Sequence, residues 1–308
     1  MPDTRHRASG IGHRASGIGQ QQDRAILTSA KDQLLELVEH IPAFPQAVMR
    51  ILDITSRGDC DSKELVRIIE RDPVLAMKIL KLVNSPYVGL PQPIASVSHS
   101  VIFVGINTIK NLALSVAAIG MLPKTNAADF DMDQLLKHSL GVATVAARLA
   151  ELLGVAEKDR SDYFLAGLLH DFGKVVLAQY KAVEFKQALE KSLADGSPLH
   201  QAETAILGYD HAYIGALLAE KWLLPARLVD CIGFHHAVET GTRDDQLRDC
   251  VALANIILQR LDFGFSGNRY RAEIPSTIEA RFAMSGDDII SSLGDLDDEL
   301  AKVTAFSH

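Results

Sequence analysis

Cysteines, long apolar runs and a signal-peptide core are scarce or missing in this 308-residue sequence. The three cysteines (Cys60, Cys231 and Cys250) are far apart, which excludes a disulfide framework and predicts reduced thiols. The longest apolar run, 112–122, is shorter than the roughly 18–20 residues of a membrane span. With no hydrophobic core near the start, the sequence predicts a cytoplasmic protein without a membrane partner.

A basic excess is also missing. The 31 lysines and arginines are outnumbered by 39 aspartates and glutamates, which gives a net charge of −8. This balance predicts no nucleic-acid partner, because such partners require a broad basic surface. Hydrophobic residues make up 47% of the chain and charged residues 23%, so a folded globular protein is expected.

The alternation of apolar and polar residues that is typical of β-strands is not found, and helical spacing dominates from Thr28 onward. Asp72-Pro73, for example, is typical of a helix start, and it precedes an apolar stripe that ends at Asn84. We therefore predict an all-α fold. In the first half, helices are expected from Pro45, Ser62 and Asp72, with two more from about Ser96 to Leu122. In the second half they are expected near 131–153, 161–170, 182–195, 200–207, 211–222, 226–236 and 247–261.

Composition divides the chain into four predicted parts. Residues 1–27 contain the heptad His-Arg-Ala-Ser-Gly-Ile-Gly twice in tandem and are predicted to be a disordered arm. A helical half at 28–125 is followed by a second helical half at 126–265. Residues 266–308 form an acidic C-terminal segment whose charges are expected to lie on a solvated face.

Histidines recur on the apolar helices of the second half. A single buried histidine is more often satisfied by a carbonyl group than by a metal. The set is more specific, because imidazoles and one carboxylate come from four predicted helices and suit iron, manganese or zinc. His170 and Asp171 could face one ion if the helix ended there, and Gly173 is expected to free the backbone for that end. The histidines in question are His138, His170, His211, His235 and His236.

The sequence resembles the HDOD (HD-related output domain) family over about residues 35–236. The resemblance implies a multi-helix fold in which an N-terminal helical subdomain packs on an HD-like helical subdomain. The segments that carry it are Ile41-Pro42-Ala43-Phe44-Pro45, Asp72-Pro73, Asn84-Ser85-Pro86-Tyr87, Phe103-Val104-Gly105, the run Gly-Leu-Leu-His-Asp-Phe-Gly-Lys at 167–174, and Trp222-Leu223-Leu224-Pro225.

The wider HD superfamily contains metal-dependent phosphohydrolases, and the resemblance implies a similar metal site here. In the family pattern the site closes with an aspartate, whereas this chain has Asn255, a neutral and weaker ligand. Asp171 and Lys174 are the candidate catalytic residues, since Lys174 matches a lysine that contacts substrate phosphate in HD-GYP relatives; a surface lysine is the alternative. The implied metal ligands are His138, His170, Asp171, His211, His235, His236 and Asn255, with one or two ions.

The function implied by the resemblance is signalling. The Gly-Tyr-Pro motif that follows the paired histidines of HD-GYP proteins is replaced by Ala-Val-Glu-Thr-Gly at 237–241, which gives no support to cleavage of cyclic di-GMP. Neither a glycine-rich phosphate loop nor a cluster of arginines near the proposed ligands is evident. We expect a regulatory protein that retains its metal and binds a signalling protein or a nucleotide-like small molecule. An active phosphohydrolase or phosphodiesterase and a metal-free scaffold remain open alternatives.

Overall fold

The computed structural model describes residues 34, 38–56, 61–84, 90, 92–238, 246–267, 269–296 and 300–301. Over these residues the chain forms fourteen α-helices and no β-strand, which confirms the all-α prediction. The helices are α1 (Gln46–Ser56), α2 (Ser62–Glu70), α3 (Pro73–Val83), α4 (Val97–Gly120), α5 (Met132–Leu152), α6 (Glu157–Leu169), α7 (Phe172–Tyr180), α8 (Ala182–Asp195), α9 (Leu199–Leu207), α10 (His211–Lys221), α11 (Ala226–Phe234), α12 (Gln246–Arg260), α13 (Ser276–Phe282) and α14 (Gly286–Ser292).

Capping residues explain where several helices begin. Asp72 caps α3 as predicted, and its carboxylate accepts a hydrogen bond of 3.0 Å from the backbone N of Leu75. Ser62, predicted as the cap of α2, is instead its first residue, because Asp61 accepts the hydrogen bond from Lys63 N. Helix α7 was not predicted as a separate helix.

Helix α4 is, among the described residues, the one whose length and apolar composition would allow it to cross a membrane. It is kinked at Gly105, where φ is 81°. The kink divides it into two helical segments, which agrees with the two helices predicted between about Ser96 and Leu122. It packs against α1, α2, α3 and α6. A core helix of a water-soluble protein has the same length and composition, so this feature is weak support for a membrane span.

Contacts divide the chain into two units, Met1–Ile41 and Pro42–His308. All fourteen helices of the described residues belong to the second unit. In the first unit the described residues are 34 and 38–41, of which Leu34, Val38 and Ile41 are buried. The tandem heptad and Cys60 lie outside the described residues, and the four predicted domain boundaries stay predictions.

The two helical halves pack on each other within the second unit. Asn111 of α4 donates to Ser161 and Asp162 of α6 at 3.0 and 2.9 Å. The Trp222 ring, which follows α10, stacks on Phe44 with ring centroids 4.3 Å apart. These contacts confirm the predicted packing of an N-terminal helical subdomain on an HD-like one.

Six packed helices position the histidines. Helix α5 packs against α6 and α12, while α10 packs against α7 and α11, and α11 also contacts α12. The junction of α6 and α7, the start of α10 and the end of α11 therefore meet beside the middle of α5.

Candidate metal centre

His138 and the pair His170-Asp171 enter the centre from α5 and from the junction of α6 and α7. His138 is only 1% exposed, and His170 and Asp171 are fully buried. Helix α6 ends just before His170, as expected, but Gly173 does not cause this end, because it lies inside α7. Its role is steric, since a Cβ atom there would overlap the backbone carbonyl of His211. The missing side chain lets α7 approach the start of α10, which brings Asp171 to His211.

The remaining histidines come from α10 and from the end of α11. His211 is the first residue of α10, whose cap Asp210 accepts a hydrogen bond of 2.9 Å from Tyr213 N. His235 and His236 directly follow α11; His235 is buried and His236 is half-buried. The Nε2 atoms of His211 and His236 are 3.0 Å apart.

Asp171 lies between two groups of potential ligands. Its Oδ2 atom is 3.3 Å from His170 Nε2 and 4.0 Å from His138 Nε2. Its Oδ1 atom is 3.1 Å from His211 Nε2 and 3.8 Å from His235 Nε2. One group consists of His138, His170 and Asp171, and the other of His211, His235 and His236; within each, the ligand atoms lie within 4.8 Å of one another. Each group could hold one metal ion, with the carboxylate between them.

The outer nitrogens of two of these histidines are occupied by backbone carbonyls. His170 Nδ1 lies 2.7 Å from the carbonyl oxygen of Gly167, and His235 Nδ1 lies 2.7 Å from that of Ile232. A histidine that binds a metal through Nε2 is typically oriented in this way through its other nitrogen.

The inner atoms of the same residues have no hydrogen-bond partner. His170 Nε2, His235 Nε2 and Asp171 Oδ1 are buried and form no well-directed hydrogen bond with another described residue, although His211 Nε2 lies 3.1 Å from Asp171 Oδ1. A buried polar atom without a partner is costly, and native structures contain few of them. One divalent ion in each group would satisfy these atoms, so the residues present fit a metal.

Glu203 is a buried carboxylate that the sequence analysis missed. On α9, its Oε2 atom accepts hydrogen bonds from His211 Nδ1 at 2.6 Å and from His211 N at 2.9 Å. The expectation that Asp171 is the one nearby carboxylate was therefore wrong. The available signal was the position of Glu203 one turn after Leu199, on the buried face of a short helix.

His200 is a second residue that the sequence analysis left out. Its ring stacks on that of His236, with centroids 4.2 Å apart. Burial lowers the pKa of His200, and the nearby His211 adds to this effect. His200 therefore borders the second group of ligands.

Asn255 adjoins His138 from α12. Its Oδ1 atom is 3.0 Å from His138 Nε2 and accepts a hydrogen bond of 2.9 Å from Gln259 Nε2. The amide thus occupies a position beside the first group, where it offers a neutral oxygen. Coordination by Asn255 stays a prediction.

Lys174 is buried, at 2% exposure, so it is not the surface lysine of the alternative interpretation. Its ammonium group donates to Asp171 Oδ2 at 2.7 Å. Burial alone would raise the pKa of Asp171, but the proximity of His170 and Lys174 holds it well below its ordinary value. Asp171 is therefore a carboxylate at neutral pH, and contact of Lys174 with phosphate stays a prediction.

The histidines differ in how the surroundings affect their charge. Burial lowers the pKa of His138 to about 3 and that of His235 well below its ordinary value. Burial also lowers the pKa of His236. For His211, burial acts in the same direction but is outweighed by Glu203 and Asp171, which raise its pKa to about 9. Neutral imidazoles are ready to bind a metal, whereas His211 has to lose a proton first.

Two cavities reach the centre from different helices. A small apolar cavity of about 20 Å³, lined by residues such as Ile119 and Leu168, adjoins Asp171. A polar cleft adjoins His138 and is lined by Arg269 and Arg271 among others. These two arginines are distant from the ligands in sequence and come to line a cleft with His138 only in the fold.

The comparisons with known proteins agree with this architecture. The chain is 28% identical over 261 residues to an uncharacterized protein of Treponema pallidum (strain Nichols), covering 84% of this chain and 49% of the relative, so it spans about half of that relative's length. The solved structure of an HDOD domain protein of unknown function from Geobacter sulfurreducens matches at 25% identity with a TM-score of 0.72, covering 90% of this chain and 97% of that one.

A second solved structure has the same fold. This Shewanella amazonensis SB2B protein, provisionally designated a phosphohydrolase, is 24% identical with a TM-score of 0.72, covering 89% of this chain and 98% of that one. A family model described as the HDOD domain matches residues 41–238, which is more than half of the sequence. The chain therefore belongs to the HDOD domain family.

Proposed function

We propose that this chain is a cytoplasmic signalling protein that holds divalent metal at its histidine–aspartate centre and acts by binding a protein partner or a nucleotide-like ligand. The observation that carries the proposal is the position of Asp171, which turns one carboxylate oxygen toward each group of histidines. His138 and His170 would hold one ion with Asp171. His211, His235 and His236 would hold the second.

The donor set favours particular metals. Five imidazoles and one carboxylate form a nitrogen-rich centre, which suits iron, manganese or zinc better than magnesium or calcium. The two positions are not equivalent, because the first has the neutral oxygen of Asn255 beside it. We therefore expect the first position to bind metal more weakly.

A metal-dependent phosphohydrolase is the second candidate, favoured by the polar cleft that reaches His138. Divalent ions in such a centre supply Lewis-acid stabilisation of phosphoryl oxygens and lower the pKa of water. The chain itself would contribute the Lys174 ammonium, which orients Asp171 and could offset phosphate charge. We prefer the signalling function over the phosphohydrolase because Asn255 stands where the family pattern has an aspartate, so one metal position lacks a negatively charged ligand.

Metal analysis of the purified protein tests the proposal. Wild-type protein is expected to bind up to two ions per chain from iron, manganese or zinc. His170→Ala should lose the metal of the first group, and Asn255→Asp should strengthen binding there. His99→Ala, which changes an exposed histidine of α4, is the matched control. A folded wild-type protein that binds none of these metals would contradict the proposal.

Turnover separates the two candidates. The metal-loaded protein is incubated with a chromogenic phosphodiester and with common nucleotides, beside an Asp171→Asn variant that remains folded. Under the signalling proposal, both proteins should be inactive. Hydrolysis by the wild type that is lost in Asp171→Asn would establish the phosphohydrolase in its place.

A further inference from the structure

The polar cleft beside His138 is built largely from residues that follow the HDOD match. Its walls include Gln259, Ser266, Arg269, Tyr270 and Arg271, all beyond residue 238. It encloses about 400 Å³. This size is within the range of small-molecule sites, roughly 300–1,000 Å³.

The segment that forms the cleft is fixed to α5 at the metal centre. Gly264 has φ of 68°, and a Cβ atom there would overlap the backbone N of His138. The next residue, Phe265, donates its backbone N–H to the carbonyl of Gln134 at 3.1 Å. The other end is held by Arg260, whose guanidinium donates to the carbonyl of Ala272 at 3.0 Å. The cleft is therefore a preformed feature of the fold.

Charge and hydrogen-bonding groups in the cleft suit a phosphate. Two guanidinium groups outnumber the carboxylate of Asp262 in the cleft, although the net charge of the chain is −8. Arginine binds phosphate with two parallel hydrogen bonds, which makes it a preferred phosphate ligand. Ser266 is 2% exposed, and its hydroxyl group has no hydrogen-bond partner. A buried hydroxyl left without a hydrogen bond is costly, and an oxygen of a bound anion would accept one from it.

Aromatic rings border the same charged groups. The Arg269 guanidinium lies 5.8 Å from the centre of the Phe265 ring, and Tyr270 is 41% exposed. Exposed rings beside arginines can stack against a planar organic group. A ligand that combines a phosphate with an aromatic ring would therefore use the whole cleft.

We propose that this cleft binds a small aromatic phosphate ester, with the phosphate held by Arg269, Arg271 and Ser266. This deepens the proposed function, because a ligand in the cleft adjoins His138 and would link ligand binding to the metal centre. Binding itself depends on the arginines and not on the ions. It can therefore be tested in protein from which metal has been removed.

Calorimetric titration of chelator-treated protein with phenyl phosphate tests the proposal. Phenyl phosphate should bind more tightly than inorganic phosphate, which lacks the ring, and than benzoate, which lacks the phosphate. Arg269→Gln and Arg271→Gln should each weaken binding by about 10-fold or more, because each removes a charge-assisted contact. Arg50→Gln, on the exposed face of α1, is the matched control and should bind as the wild type does.

A further variant should act in the opposite direction. Asp262 forms an ion pair with Arg271 at 2.8 Å and brings negative charge to the cleft. Asp262→Asn releases the guanidinium and removes that charge, so phenyl phosphate should bind several-fold more tightly. A weakened or unchanged affinity in folded Asp262→Asn protein would count against the assigned phosphate position.

The outcomes separate this proposal from the metal proposal. Phenyl phosphate that binds only after metal is added, or that binds equally well to both glutamine variants, would overturn the cleft as the phosphate site. Equal affinity for benzoate would overturn the phosphate class. A protein that binds phenyl phosphate but no metal would overturn the proposed function and leave this inference standing.

Discussion

His170 and His235 occupy equivalent positions, each directly after the last residue of a helix. Each ring is oriented by the carbonyl oxygen three residues earlier, in a turn whose carbonyls lack helical partners. One hydrogen bond therefore satisfies a carbonyl group at the end of the helix and also fixes the orientation of the imidazole ring. Because Nδ1 faces the helix, Nε2 faces the centre.

Glu203 orients the ring of His211 by accepting a hydrogen bond from its Nδ1 atom, but unlike a backbone carbonyl it also carries a negative charge. The effect of this charge can be tested. Glu203→Gln keeps an acceptor oxygen but removes the charge that raises the pKa of His211. We expect the pKa of His211 to fall in NMR titration of the metal-free protein. Metal affinity measured above pH 9, where His211 has lost its proton in both proteins, should fall by about 10–100-fold, as is typical when such outer partners are changed.

The control for Glu203→Gln is Glu220→Gln, the same change at an exposed position of α10. It should leave both quantities unchanged. If Glu203→Gln left the His211 pKa and the metal affinity as in the wild type, the carboxylate would have no role in positioning His211.

At the scale of elements, the centre depends on how closely α7 approaches α10. Asp171 directly precedes α7 and His211 begins α10, and the two side chains are 3.1 Å apart. Gly173 makes the approach possible, since its hydrogen faces the backbone carbonyl of His211 where a methyl group would overlap. The packing of two helices thus determines the distance between two ligands.

Gly173→Ala should force α7 and α10 apart. We expect the free energy of unfolding to fall by about 1–3 kcal/mol, as for overpacked cores, and metal affinity to fall with it. Urea denaturation and metal titration measure the two effects. Gly120→Ala is the control, because a Cβ atom there has no neighbour within 4 Å and alanine favours a helix. Equal stability of both variants would contradict the close approach.

At the scale of the whole molecule, the buried histidines link folding stability to pH. In the unfolded chain their pKa values are near 6.5, whereas burial lowers the pKa of His138 to about 3 and also lowers that of His235. Below about pH 6.5 the unfolded state therefore binds protons that the folded state does not. His211 has the opposite effect, because its pKa is raised in the folded state. Its contribution to the free energy of unfolding is fully present below about pH 6.5 and is lost as the pH rises through about 9.

The metal-free protein should therefore be most stable near neutral pH. Each of His138 and His235 should reduce the free energy of unfolding by on the order of 1.4 kcal/mol per pH unit on the acid side. Urea denaturation of chelator-treated protein at pH 5, 7 and 9.5 measures the profile. The exposed variant His99→Gln should not change it. Equal stability at pH 5 and 7 would contradict the lowered pKa values.

Local sequence determined the helices and the identity of the candidate ligands. The Asp72-Pro73 pair specifies the start of α3 because a carboxylate caps backbone N–H groups and proline needs none. Residues 182–195 form α8 as predicted. Its boundaries could be predicted because the hydrogen bonds of a helix join residues that are close in sequence. His138 was recognisable because its apolar stripe predicts a buried side chain.

Only the tertiary structure decided how these residues combine. Asp171 lies between two histidine groups because α7 and α10 approach at Gly173, and no local pattern encodes the distance between helices far apart in sequence. Glu203 likewise reaches His211 by packing, and Arg269 comes to line the cleft beside His138 in the same way. Spacing along one helix predicts which face is buried, but which side chains meet across that face depends on every element that packs there.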